Sequence, residues 1–513
     1  MRLKLIAAAS AGAAALAAGS AHAETSCADM TKIQLNHAAV TASEVIKVGQ
    51  IDACRISITS HPTKDSDIGI ELVVPEGSAW NGKYLQVGNG GFAGQIPTPQ
   101  IRAYAAQGYA VAGTDDGHQT KVGTSAAFAL GHREKIADYG WRAIKETTDV
   151  SKALLAARGS APKRSYFAGC SDGGREALME AQRFPKDFDG IVAGAPANYM
   201  SDLFGISAAQ QQALSKEGGW LGPAQLELLQ TAALKQCADG GPFIRDPAAC
   251  HFDPSKLACK KGETEGCLTG LQLASAKAIY EGRRDPRTGK IAFPGFSPGA
   301  EAVNGSWNAW ITGPTLEAHP NAAGYQFSSN AFKYFAFGDP DFDFLKLDLG
   351  KGFDEAKAKM THDLDSASPD LSAFKARGGK LIHYHGWNDP AIPPRSSILY
   401  YEDVARKMGD QHGFYRLYLV PGMLHCGGGR GPGAVDWVSL LDAWVTQGKA
   451  PAAVTASAPP RGPQPAVKSQ LLCPFPQVAK GSGDDASGYK CVAGGKAKAS
   501  TKQAAAKAPA KAG

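Results

Sequence analysis

The sequence predicts an α/β fold with a mainly parallel sheet, interrupted by a large insertion. Short apolar runs alternate with helical periodicity through most of residues 24–197. A strand, a sharp turn and a helix surround Gly169-Cys170-Ser171-Asp172-Gly173. Strand signals then fade between about 198 and 377 and return at Lys380-Leu-Ile-His-Tyr-His. Parallel strands need long crossovers, usually helical, so this alternation implies a sheet covered on both faces.

The first elements read in order. Arg2 and Lys4, an Ala/Leu-rich stretch over residues 5–18 and Ala21-His22-Ala23 have the order of an export signal, residues 1–23, with the mature chain starting near Glu24. Ile56-Ser-Ile-Thr and Gly69-Ile-Glu-Leu-Val-Val read as strands, and Trp80-Asn81-Gly82-Lys83 as a hairpin-type turn. A strand entering the glycine-rich loop 88–94 follows, then a buried strand in Gly108-Tyr-Ala-Val-Ala-Gly and a helix over 134–158. Ser165-Tyr166-Phe167-Ala168 is a strand that stops at Gly169. Helical pattern resumes at Arg175, and the stretch from Phe188 to Pro196 reads as the next strand.

The insertion, 198–377, is rich in Gly, Pro, Trp and Phe, with helix-like pieces over 222–233 and 271–281. The sheet resumes over 378–493. Its strand at Lys380 leads into Gly386-Trp-Asn-Asp389-Pro, and Arg416-Leu-Tyr-Leu-Val leads into Pro421-Gly-Met-Leu-His425-Cys426. Residues 494–513 form a Lys/Ala-rich tail expected to be disordered. A chain of 513 residues is too long for one compact core and fits a large domain plus an insertion.

The net charge of +6 comes largely from that tail (Lys496, Lys498, Lys502, Lys507 and Lys511). No basic stripe with interleaved aromatics marks a nucleic-acid partner. No segment after the leader approaches the roughly 20 apolar residues of a membrane span. The ten cysteines fit export to an oxidising compartment, periplasmic or extracellular, and no C-x-x-C pair suggests zinc or thioredoxin chemistry. Local spacing favours Cys27–Cys54, Cys237–Cys250, Cys259–Cys267 and Cys473–Cys491, leaving Cys170 and Cys426 for each other.

The chemistry concentrates at three points. Gly169-x-Ser171-x-Gly173 between strand and helix has the pattern of a nucleophile elbow. A serine hydroxyl needs a base, and histidine as a residue type titrates near neutrality, so His425 is the candidate to take and return a proton. Asp389 would fix the imidazole's tautomer. The order Ser, Asp, His is that of an α/β-hydrolase triad, and Asp389 and His425 each follow a predicted strand. Asp363, Asp365 and Asp436 compete for the acid's role. His383 and His385 alternate in a buried-looking strand and read as core residues or as supports just behind the site, and His118 reads as structural. The amide of Asp172 and one from loop 88–94, Gly91 or its neighbour Gly90, are the expected oxyanion donors. That loop lacks the GK[ST] ending of a phosphate loop.

The dipeptides Cys170-Ser171 and His425-Cys426, with Asp389, loop 88–94 and Gly386-Trp-Asn-Asp, resemble the tannase and fungal-type feruloyl esterase family, which includes mono(2-hydroxyethyl) terephthalate hydrolases. The resemblance spans about Cys27 to Cys491. It implies an α/β-hydrolase core with a large inserted lid domain, a Ser171–Asp389–His425 triad, a Cys170–Cys426 bridge and a small-molecule substrate, an ester of a hydroxylated aromatic acid. Trp307, Trp310, Phe332, Tyr334 and Phe335 are candidates for its ring pocket by composition, most of them expected to be lid core. Members often carry calcium in the lid. Here the corresponding stretch, Cys237-Ala-Asp239-Gly-Gly-Pro-Phe-Ile-Arg-Asp246, is short and offers only Asp239 and Asp246, so a disulfide-braced loop without metal is the simpler expectation, and no other cofactor is expected.

Overall fold

Nine short segments of the chain pair into one sheet. The computed structural model describes residues 25–459 and 466–494. The predicted leader and all of the tail beyond Gly494 lie outside those residues. The sheet contains β1 (Ala38–Val48), β2 (Ile51–Ser60), β3 (Ile68–Pro75), β4 (Lys83–Val87), β5 (Ala110–Thr114), β6 (Arg164–Cys170) and β7 (Gly190–Gly194). A hairpin in the insertion, β8 (Gly282–Arg284) with β9 (Ile291–Pro294), stands apart from it. The sheet continues with β10 (Lys380–Gly386) and β11 (Tyr415–Val420).

Strand order is β1-β2-β3-β5-β4-β6-β7-β10-β11. The block from β5 to β11 is parallel, and β1, β2 and β3 join it through antiparallel pairs. Trp80-Asn81-Gly82-Lys83 is therefore not a hairpin turn. It does turn the chain, with Gly82 at φ +77°, but β3 pairs with β5, which lies between β3 and β4. A turn signal reports reversal, not which strand is met next.

Apolar side chains cover both faces. One layer packs Leu154, Phe167, Leu178, Phe188 and Tyr400. The other packs Val73, Leu85, Tyr166, Ile382, Trp437 and Leu441. Between β7 and β10 the chain leaves the sheet and forms helices including Met200–Leu214, Pro223–Cys237, Gly270–Glu281, Ala323–Asn330 and Lys351–Leu364. This insertion shares a third cluster with the sheet domain, where Phe92 and Tyr139 meet Phe332 and Phe335. The helix predicted over 134–158 is broken by a π-turn at Asp138–Arg142, which carries Tyr139 toward the carboxyl ends of the parallel strands.

Five disulfides join Cys27–Cys54, Cys170–Cys426, Cys237–Cys250, Cys259–Cys267 and Cys473–Cys491, the pairs that spacing favours. Among the described residues no helix is long and apolar enough to cross a membrane.

Candidate active site

Ser171 stands between β6 and helix Asp172–Arg183 at φ +66°, a conformation that a non-glycine residue adopts only when its surroundings force it. The glycines beside it allow this. A Cβ on Gly169 would lie 2.4 Å from the carbonyl oxygen of Gly173, and one on Gly173 would lie 2.9 Å from that of Asn89. The strand, the helix and loop 88–94 thus meet backbone to backbone under the serine.

His425 follows β11 and reaches back across the sheet edge. Its Nε2 lies 2.8 Å from Ser171 Oγ, and its Nδ1 lies 2.7 Å from Asp389 Oδ2. Asp389, just past β10, is fully buried. Its Oδ1 accepts from the amides of Ala391 at 2.8 Å and Ile392 at 2.9 Å. Burial alone would push this carboxyl up. The imidazole of His425 and the hydrogen bonds from His385 and His425 outweigh that and hold it well below the usual carboxylate range. The imidazole thus stands within proton-transfer reach of Ser171 Oγ, with its other nitrogen on a carboxylate.

The Cys170–Cys426 bond joins the neighbours of Ser171 and His425, residues 256 apart in sequence, with Cα atoms 6.0 Å apart. Cys426, like Ser171, has a positive φ, +60°.

Among the described residues, the amides of Gly90, Gly91 and Asp172 donate to no protein acceptor. They leave free donors on the loop and at the helix start, where an oxyanion could be received. Below them lies a buried acidic group. Asp116, Asp172 and Glu176 have carboxylate oxygens within 4.8 Å of one another. Arg175 Nε donates to Asp172 at 2.5 Å and Tyr139 Oη donates to it at 3.0 Å. Glu176 accepts from the amide of Asn89 at 3.1 Å and so ties the helix to the glycine loop. Burial first, and the charge of Asp172 next, push Glu176 up to about 7.

The competing acids sit elsewhere. Asp363 binds Arg133 and the indole of Trp141, Asp365 accepts from Ser201, and Asp436 caps helix Trp437–Gln447. His118 stacks on Phe128 at 3.6 Å and is pushed down to about 4 by burial. Asp239 is exposed at a left-handed turn, while Asp246 pairs with Lys480 at 3.2 Å. A lysine thus already balances one of the two carboxylates considered for calcium. Neither belongs to a three-ligand group among the described residues. A calcium ion held here would take its remaining oxygens from backbone carbonyls.

The insertion forms the other wall. Of the aromatic candidates, Trp310 meets the imidazole of His425 edge-on at 5.1 Å. Trp307 packs on Tyr280, and Phe332 on Phe344, inside the insertion. Phe335 reaches Phe92 and Tyr139, and Tyr334 stays half-buried against that cluster. Phe327, which sequence reading missed, stacks on Trp310 at 6.3 Å and contacts Phe92 at 5.0 Å. His385, on β10, is buried and touches Asp389, a contact within the core or supporting role that its strand position implies.

The sequence profile described as tannase and feruloyl esterase matches residues 54–492. An uncharacterized esterase of Xanthomonas campestris pv. campestris is 35% identical over 92% of each chain. A probable feruloyl esterase of Arthroderma benhamiae is 31% identical over 86% of each. Among solved structures, feruloyl esterase B from Aspergillus oryzae superposes with a TM-score of 0.82 at 26% identity, over 91% of this chain and 99% of that one.

Proposed function

The chain belongs to the tannase and feruloyl esterase family and is a carboxylic ester hydrolase, and within that family we propose a secreted serine esterase that cleaves esters of hydroxylated aromatic acids. The observation that carries the mechanism is the unbroken hydrogen-bonded series from Ser171 Oγ through His425 to Asp389. Ser171 attacks the ester carbonyl while His425 Nε2 takes its proton. Asp389 holds the ring and balances the imidazolium. The amides of Asp172 and Gly91 receive the oxyanion. His425 returns the proton to the departing alcohol, and water then cleaves the acyl-enzyme by the same route.

Residues 198–377 act as the lid. Trp310 and Phe327 offer flat apolar surface beside His425, which suits an aromatic acyl group. The Arthroderma benhamiae relative, a probable feruloyl esterase, points the same way. Secretion is supported by the leader pattern in residues 1–23 and by five disulfides, which persist in oxidising compartments.

Ser171→Ala should abolish hydrolysis of methyl ferulate with an unchanged circular dichroism spectrum. Retained turnover would remove Ser171 from the mechanism. A panel of methyl ferulate, methyl gallate and a terephthalate monoester then ranks the acids, and feruloyl preference is the expected result.

A further inference from the structure

Behind Asp389 the hydrogen bonds continue. His385 Nε2 lies 3.1 Å from Asp389 Oδ2, and its Nδ1 lies 2.6 Å from Ser397 Oγ. The same Oγ lies 2.7 Å from His383 Nε2, whose Nδ1 lies 2.8 Å from Tyr415 Oη. His385, Ser397, His383 and Tyr415 are all fully buried. The series runs from β11 through β10 and helix Arg395–Met408 to the loop that carries Asp389.

Donor and acceptor counting orients it. His385 Nε2 faces two acceptors, Asp389 Oδ2 and the carbonyl oxygen of Ile392, the latter at 3.1 Å. A carbonyl never donates, so this nitrogen carries the hydrogen whatever the state of Asp389. With one proton on the ring, Nδ1 is the acceptor, and the single hydroxyl hydrogen of Ser397 goes there. Ser397 Oγ must then accept from His383 Nε2–H, and His383 Nδ1 from the phenol of Tyr415. Burial pushes His383 well down and Tyr415 well up. A neutral ring and a protonated phenol suit these roles.

We propose that Tyr415, His383, Ser397 and His385 form a one-way hydrogen-bond chain with every hydrogen directed toward Asp389, and that His385 is a positioning residue of the catalytic triad. The proposal rests on reading Ser171, His425 and Asp389 as the reacting set. In that setting the chain gives Oδ2 a second fixed donor. The carboxylate cannot swing toward another partner while His425 gains and loses its proton, and each aligned bond polarises the next. No proton moves along the chain.

Two measurements test it. The first is 15N NMR of the folded protein with labelled histidine, the signals being assigned with His383→Gln and His385→Gln. At neutral pH both rings should show a protonated Nε2 and an unprotonated Nδ1. A protonated Nδ1 on either ring would overturn the direction. The second is kinetic. His385→Leu removes the donor to Asp389 and should lower kcat about 10- to 100-fold, the worth of one hydrogen bond to a charged group, with KM within about twofold. His385→Gln keeps an amide donor and should recover most of that loss. Unchanged kcat in a folded His385→Leu protein would remove the positioning role. Persistent activity of Ser171→Ala would instead undo the reading of the triad itself, so the two failures are distinct.

Discussion

The two walls around Ser171 and His425 are built from different interactions. Behind the imidazole, Asp389 accepts from two backbone amides and two histidines, and its side chain is wholly buried. In front, Trp310 and Phe327 present rings held by packing against Phe92 and its neighbours. Directional bonds fix an atom to a fraction of an ångström. Ring contacts fix a surface and tolerate a change of occupant. On the proposed mechanism, chemistry and substrate choice are divided between two stretches of chain, the sheet ends and the insertion, and altering each should give a different kinetic signature.

The largest effect should come from the polar wall. Asp389→Asn preserves shape but offers an amide where His425 Nδ1–H and His385 Nε2–H both need an acceptor. The imidazole then favours the wrong tautomer, and kcat should fall on the order of 10⁴-fold with little change in KM. Steady-state rates on methyl ferulate check this. A loss below tenfold would show that Asp389 does not set the tautomer.

Opening the Cys170–Cys426 bond comes next. The bond holds the residues beside nucleophile and base with Cα atoms 6.0 Å apart, and a displacement of about 1 Å in such a pair costs about 10²-fold. The double variant Cys170→Ala, Cys426→Ala should lose kcat on that scale while remaining folded. Full activity would confine the bridge to stability.

This difference between the walls also explains what could be read from the sequence. The reacting groups sit at strand ends, where the backbone needs glycine, a turn and a cysteine partner, and each leaves a mark beside Ser171, Asp389 or His425. His385 leaves an ambiguous mark, because a histidine alternating inside a strand has the same pattern whether it packs or positions. Phe327 was missed because ring packing imposes no spacing that distinguishes pocket from core. Trp307 and Trp310 are three residues apart, yet only Trp310 meets His425. The position of β5 between β3 and β4 was equally hidden, since pairing across a sheet is decided by tertiary packing and not by the turn at Gly82.

The aromatic wall should yield a smaller and more selective loss. Trp310→Ala removes one ring contact from the acyl site and should lower kcat/KM for methyl ferulate about tenfold, chiefly through KM. An acetyl ester, which has no ring to place, should lose less than about twofold. Equal losses on both esters would mean that Trp310 supports His425 and not the acyl group.

The smallest effect concerns the base of the polar wall. Glu176 accepts from the amide of Asn89, and burial, then Asp172, push its carboxyl up to about 7 from an ordinary 4.5. Between those values the folded state holds a proton that the unfolded chain has released. Stability from this group is therefore complete below about 4.5 and is lost as pH rises through about 7. Asp115, raised to about 6, acts in the same direction. His118, lowered to about 4, acts in the opposite one, because there the unfolded chain binds the extra proton. Wild-type Tm alone would mix these contributions, so the comparison to make is with Glu176→Gln, whose amide stays neutral throughout. The advantage of wild type over the variant should be greatest near pH 5 and shrink by about a few °C toward pH 8. A difference that stays constant across that range would mean that Glu176 does not exchange its proton there, and that the glycine loop rests on a support indifferent to pH.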